Sequence, residues 1–180
     1  MKKRVLFITQ TAIMLALLIV VQLLTRSLSQ FVTGSLVNLI LLVSTFVIGL
    51  AGGTIVAVIS PFLAFALGIG PAFIQIVIFV SIANLIIITV AYLLAKKTIK
   101  GKTISDYLVS GSGLAIASVL KTAFLWIGLV SFALPLIPGL KPQQIKVITA
   151  SFTWPQLITA LIGSVLAMMI MPILIKRSDN

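Results

Sequence analysis

The 180-residue chain has no cysteine, no histidine and only two acidic residues, Asp106 and Asp179. Without Cys there is no disulfide, thiol nucleophile or thiolate cluster, and without His the commonest zinc and haem ligand is missing as well. Both carboxylates lie beside basic flanks and outside every long apolar run. That argues against a paired-carboxylate active site and an Asp/Glu proton relay inside a membrane. Negative charge is scarce while positive charge is not: 13 Lys and Arg leave a formal net charge of +11. In a soluble chain such an excess points to nucleic acid. Here no solvated segment interleaves basic with aromatic residues, and no nucleic-acid partner is expected.

What the chain does have is apolar surface. It is 61% hydrophobic and 8% charged, with a mean hydropathy of +1.31. A soluble domain needs far more polar residues to cover itself, so lipid is the expected solvent. The apolar residues fall into runs at about 5–24, 36–50, 54–69, 71–95, 107–134 and 147–175. They predict an all-α membrane protein with six transmembrane helices, folded as a single integral membrane domain over residues 1–180. No internal repeat is apparent.

Met1-Lys2-Lys3-Arg4 followed by Val5–Leu24 imitates a signal peptide, but the apolar run is long for one. The nearest imitation of a cleavage site is Ser27-Leu28-Ser29, so a retained first helix is expected. Breaks between runs are expected at the polar stretch Thr25–Ser35, at Gly52-Gly53, at Gly68-Ile69-Gly70-Pro71, at the basic loop Lys96–Asp106 and at the proline-bearing loop Pro135–Lys146.

Charge tests the count. With the N-terminus inside, the inner segments hold Lys2, Lys3, Arg4, Lys96, Lys97, Lys100, Lys102, Lys176 and Arg177. The outer segments hold Arg26, Lys141 and Lys146. Basic residues concentrate on the cytoplasmic side of membrane proteins, so six spans with both termini inside satisfy the rule. Merging the second and third runs would give five spans and put Lys96–Lys102 outside.

Lys121 is the most informative residue, lying near the middle of the fifth run, roughly 20 Å from either interface. A Lys side chain reaches only part of that distance toward water. It is either satisfied by helix carbonyls or neutralised by burial, or it is placed to meet an anionic ligand, no intramembrane carboxylate being present to pair with it. Asn84 lies at a similar depth in the fourth run and shares a face with Phe73, Val77 and Ser81. It makes either an interhelical amide bond or a ligand contact. Gln75, nine residues earlier, points about 180° away from it on a regular helix.

Trp154-Pro155-Gln156 sits in the outer half of the sixth run, where a Trp is either an interface anchor or a pocket wall. Pro155 is expected to bend the helix there and free a carbonyl. Trp126 carries the same ambiguity, and Arg26 and Asn38 fall at the outer mouth, where solvation is the ordinary outcome. Gly101-Lys102-Thr103 ends like a phosphate-binding loop, but Lys96 stands where that loop needs its first glycine. Ala12-x-x-x-Ala16 in the first run is a small-xxx-small pattern that lets another helix approach closely.

Taken together, these features resemble the S components of the energy-coupling factor (ECF) vitamin transporters of bacteria. The resemblance covers nearly the whole chain. It rests on the small size, the six spans with both termini inside, Ala12-x-x-x-Ala16, the short runs around Gly52-Gly53, and the Ser60-Pro61 and Gly70-Pro71 elements. It implies a multi-pass protein of the bacterial cytoplasmic membrane that captures a vitamin or precursor from outside. Its implied partners are a transmembrane coupling protein and two cytoplasmic ATPases, on which it docks and topples to release the ligand. ATP is then hydrolysed by those partners, and no cofactor belongs to this chain. The alanine motif, Ala12 and Ala16, would face the coupling protein. The loops after helices one, three and five would roof the pocket.

A single central Lys without acidic neighbours suits an anionic, hydroxylated ligand, for which pantothenate is the best fit. Lys121 would pair with its carboxylate, Asn84 and Gln156 with its hydroxyls and amide, and Trp154 would cover its dimethyl region. Gln75, Trp126, Asn38 and Arg26 complete the candidate set. A hydroxymethylpyrimidine or pyridoxine-type precursor is the alternative ligand. A membrane-embedded enzyme or a ligand-free assembly factor is the alternative class.

Overall fold

A computed structural model describes residues 2–101 and 103–178, with side chains to 174. Lys102 and Asp179 lie outside the described residues, as do the side chains of Lys176 and Arg177, so their expected topological roles are not addressed by it. The described residues form helices and no strand. Seven α-helices follow in order: α1 Lys2–Thr25, α2 Gln30–Ile48, α3 Leu50–Ala66, α4 Ile74–Ala95, α5 Ile104–Phe124, α6 Pro142–Ser151 and α7 Trp154–Ser178. Five helical stretches are long and apolar enough to cross a membrane, while α3, at 17 residues, is shorter. In a solvent that cannot hydrogen-bond, helices satisfy every backbone group internally, and this composition leaves little other choice.

Several boundaries differ from the sequence expectation. The turn between α2 and α3 is at Gly49, which adopts φ 95° and ψ 170°, a conformation essentially reserved for glycine. Gly52 and Gly53, read as the break, are instead buried in the first turns of α3. They are there for contact: a Cβ on Gly53 would collide with the Thr45 side chain and one on Gly52 with Ile48. The second helix begins at Gln30, six residues before the expected start, so most of the polar stretch is helical.

The last apolar run is two helices, α6 and α7, with a break at Phe152–Thr153. Pro142 opens α6 at a position where its missing N–H costs nothing, so part of the expected loop is helix too. Pro155, expected to bend a continuous helix, instead sits in the first turn of α7 just after the break at Phe152–Thr153, where its missing N–H interrupts no helix bond. Beyond Phe124, α5 widens into π-helical turns over Leu125–Ala133 and closes with a tight turn at Leu134–Leu136. At its other end Asp106 serves as a cap: Thr103 Oγ1 accepts from Asp106 N–H (3.2 Å), and Thr103 N–H donates to Asp106 Oδ2 (3.0 Å).

Contacts fix the relative directions of the helices. Phe31 meets Trp154, Gly34 meets Thr159 and Asn38 meets Gly163, so α2 and α7 run parallel. Gly113 lies on Leu94, Lys121 on Asn84 and Gly128 beside Phe79, so α4 and α5 are antiparallel. Small residues make these approaches possible, as they do between helices in lipid. The larger apolar core joins Leu18, Leu41, Leu42, Val56, Ile87, Ile88, Leu114 and Met171 across α1 to α5 and α7. A second cluster gathers Ile76, Ala83, Leu125, Leu129 and Ala133 around the π-helical segment. Exposed Leu, Ile and Val cover the outside, α1 most of all, as expected of a surface solvated by acyl chains.

Candidate functional site

Three of the residues singled out by their polarity converge. Lys121 Nζ of α5 donates to Asn38 Oδ1 of α2 at 2.6 Å and to Asn84 Oδ1 of α4 at 3.0 Å. All three are buried. Asn38 is held from behind, its Nδ2 donating to Gly34 O one turn back (2.9 Å). Gly163 of α7 presses on the same residue: a Cβ there would lie 2.7 Å from Asn38 Cβ. Asn38 was expected to be solvated at the outer mouth. The correction follows from the earlier start of α2, which places it more than two turns inside the helix.

A charge at this depth carries an insertion cost of about 2.5–3.5 kcal/mol. The two amide dipoles offset part of it, but neither brings a counter-charge. Among the described residues the only carboxylate is Asp106, fifteen positions earlier on the same helix and so about 22 Å away along it. One turn inward from Lys121 the polar character continues, with Ser118 Oγ 3.2 Å from Ser164 Oγ of α7.

The cluster lines a cavity of about 120 Å³ whose wall includes Gln22, Ser60, Pro61, Gly70, Pro71 and Gln156. A larger cavity of about 500 Å³ shares Gly70 and Pro71 with it. That outer chamber is walled by Gln30, Ile69–Phe73 and Ile76 on one side and by Gln143, Val147 and Phe152 on the other. Gln30 Nε2 donates to Ser151 O (2.6 Å) and Gln156 Nε2 to the same carbonyl (3.3 Å), tying the end of α6 to α2 and α7. The chamber wall after α5 is therefore a helix, α6, and not the loop expected there.

The remaining candidates lie elsewhere. Trp126 and Trp154 are 57% and 62% exposed, and neither lines a cavity with Lys121. Trp154 packs against Phe31 with the rings tilted by 41° and their centroids 5.7 Å apart, on the exposed surface where an interface anchor belongs. Gln75 and Arg26 are exposed. Ala12 and Ala16 are exposed on the outer face of α1, away from the site. Ser60, named only in the Ser60-Pro61 element, and Gln22 were not among the site candidates. Each is a polar residue inside an apolar run, the same signal that marked Asn84, but hydroxyls and amides near helix ends carry it weakly.

Comparison with protein-family models, curated proteins and solved structures finds no match.

Proposed function

We propose that this chain is a solute-capturing subunit of the ECF S-component type, crossing the membrane six times with both termini in the cytoplasm. Alternating helix directions support the count. The ends of α1, α3 and α5 and the starts of α2 and α4 meet at the side of the outer chamber. There the described basic residues are Arg26, Lys141 and Lys146, against Lys2, Lys3, Arg4, Lys96, Lys97 and Lys100 at the other. On this reading α3 is a short span of about 25 Å, a mismatch with a hydrocarbon core of about 30 Å that bilayer thinning accommodates.

The observation that carries the proposal is the uncompensated Lys121 in the wall of a cavity that continues toward the outer end. At about 30 Å³ per water the inner cavity holds a carboxylate and a short stem, not a whole vitamin. Together with the outer chamber it falls in the size range of small-molecule sites, about 300–1,000 Å³. A ligand such as pantothenate would place its carboxylate on Lys121 and its hydroxylated, dimethyl end between the α3–α4 connection and α6. Gln156 remains in this pocket, while Gln75, Trp126, Trp154 and Arg26 leave it. Delivery would require the coupling protein and two ATPases, with the exposed Ala12 and Ala16 face of α1 available to the former.

The test is titration calorimetry of the purified chain with pantothenate in the absence of ATP. Lys121→Ala removes the cation, and truncating one partner of a buried ion pair costs about 3–5 kcal/mol, so affinity falls by more than about a hundredfold. Unchanged pantothenate affinity in that variant refutes the pairing.

A further inference from the structure

Two buried polar atoms in the wall of the inner cavity have no partner among the described residues. Many buried hydroxyls in these helices close onto the carbonyl four residues back, as Ser35 does on Phe31, Ser44 on Ile40 and Ser118 on Leu114. In lipid that bond is the ordinary way to satisfy a helical Ser. Ser60 is only 2% exposed yet makes no such bond. Asn84 supplies the second atom. Its Oδ1 faces Lys121, which turns Nδ2 away, and that nitrogen donates to nothing among the described residues. Among the described residues no side-chain nitrogen or oxygen is both sealed off and unpaired, so both atoms border open space. The space they border is the cavity whose wall they share with Lys121.

An ammonium has three donors, and Lys121 spends two on Asn38 and Asn84. The third, with Asn84 Nδ2 and the Ser60 hydroxyl, makes a set of unspent donors around one cation. Acceptors are placed differently. Gln22 and Gln156 donate through Nε2 to Leu18 O and Ser151 O, leaving each Oε1 unspent. Both stand at the outer end of their helices, nearer the chamber.

We propose that Lys121, Asn84 and Ser60 form a cradle for a single carboxylate, and that Gln22 and Gln156 accept from an O–H or N–H farther along the same ligand. The ligand class is then a monocarboxylate bearing a hydroxyl or amide N–H, and the inference rests on the solute-capturing function proposed above. A phosphate ester brings a second negative charge to a site with one cation, and excess buried charge is strongly unfavourable. A neutral alcohol or amide analogue forfeits the charge-assisted bonds.

The experiment is calorimetry on the full detergent-solubilised chain with two sets of probes. The carboxylates are pantothenate and biotin, with matched analogues in which the carboxylate of pantothenate is replaced by an alcohol, pantothenol, or by the phosphate ester of that alcohol. The neutral and cationic set is pyridoxine, hydroxymethylpyrimidine and thiamine. The expected result is that a carboxylate binds and its alcohol counterpart binds at least about a hundredfold more weakly. Ser60→Ala should weaken the carboxylate about tenfold, the worth of one hydrogen bond to a charged group, while Ser60→Thr keeps most of the affinity. Equal affinity for carboxylate and alcohol overturns the cradle on the wild-type protein, whatever the variants do. Tight binding of a neutral or cationic probe also overturns it while leaving solute capture standing. If no probe binds and the purified protein retains no small molecule, solute capture itself fails, and the cradle with it.

Discussion

Gly163 makes the geometry around Lys121 most directly open to perturbation. A Cβ at this position would lie 2.7 Å from Asn38 Cβ, 2.8 Å from Ser35 O and 2.9 Å from Leu39 N. Two of those three atoms are backbone, so no rotamer change relieves the overlap. Ordinary contact begins at 3.4 Å, and α2 and α7 must therefore separate by about 0.7 Å at this level. Asn38 moves with α2, stretching the 2.6 Å bond it receives from Lys121. Overpacking of this kind costs about 1–3 kcal/mol. Weakening one interhelical hydrogen bond in a membrane adds about 0.6 kcal/mol. Replacing a helical glycine by alanine returns about 0.5–1 kcal/mol of backbone entropy, too little to cancel the loss. Gly163→Ala should lower the thermal midpoint in detergent by several degrees, at about 2–4 °C per kcal/mol for a chain of this size. The matched control is Gly111→Ala, where the nearest atom to the new Cβ is Met168 Sδ at 3.7 Å and the entropy gain should leave stability unchanged or higher. A Gly163→Ala variant melting at or above wild type would refute the close α2–α7 packing and the positioning of Asn38 that depends on it.

Gly49→Ala isolates a backbone effect, because a Cβ there meets nothing within 4 Å while φ stays at 95°. It should cost about 1–3 kcal/mol in thermal or denaturant unfolding, with no change in ligand affinity once folded. Having no native cysteine, the chain can carry single reporters without prior substitution. Cysteines at Leu28, Ile69 and Gly139 should react with an impermeant maleimide from outside intact cells, and ones at Gly49 and Thr98 should not; labelling of both sets would break the six-span topology. Ala12→Trp with Ala16→Trp should reduce recovery of a co-expressed coupling protein and its ATPases while leaving ligand affinity within about twofold. An unaffected complex would remove α1 from the docking face.

The depth of the site was legible in the sequence because a Lys and an Asn stand out in apolar runs, and the two do meet. Asn38 was among the candidates but was placed too shallow, at the outer mouth, since Thr25–Ser35 looks like a loop by composition although Gln30 onward is helical. Gly52-Gly53 looked like a turn for a related reason. Glycine pairs break soluble helices, whereas in lipid they serve close packing, and the real turn is the single Gly49 with its positive φ. The tryptophans left two readings open, interface anchor or pocket wall, because a membrane surface solvates aromatic rings as readily as a pocket does; Trp126 and Trp154 face outward. The π-helical stretch Leu125–Ala133 carries no polar periodicity, so nothing in its composition separates it from an ordinary helix. The Ser60 hydroxyl becomes conspicuous only when its missing backbone partner can be seen.

The central claim is that the cluster around Lys121 holds a small anionic solute. Mass spectrometry of small molecules released from the purified wild-type chain and from Lys121→Ala tests it most directly. The account predicts a carboxylate near one per protein from wild type and little or none from the variant. A neutral ligand, or the same ligand retained equally by both proteins, would contradict it.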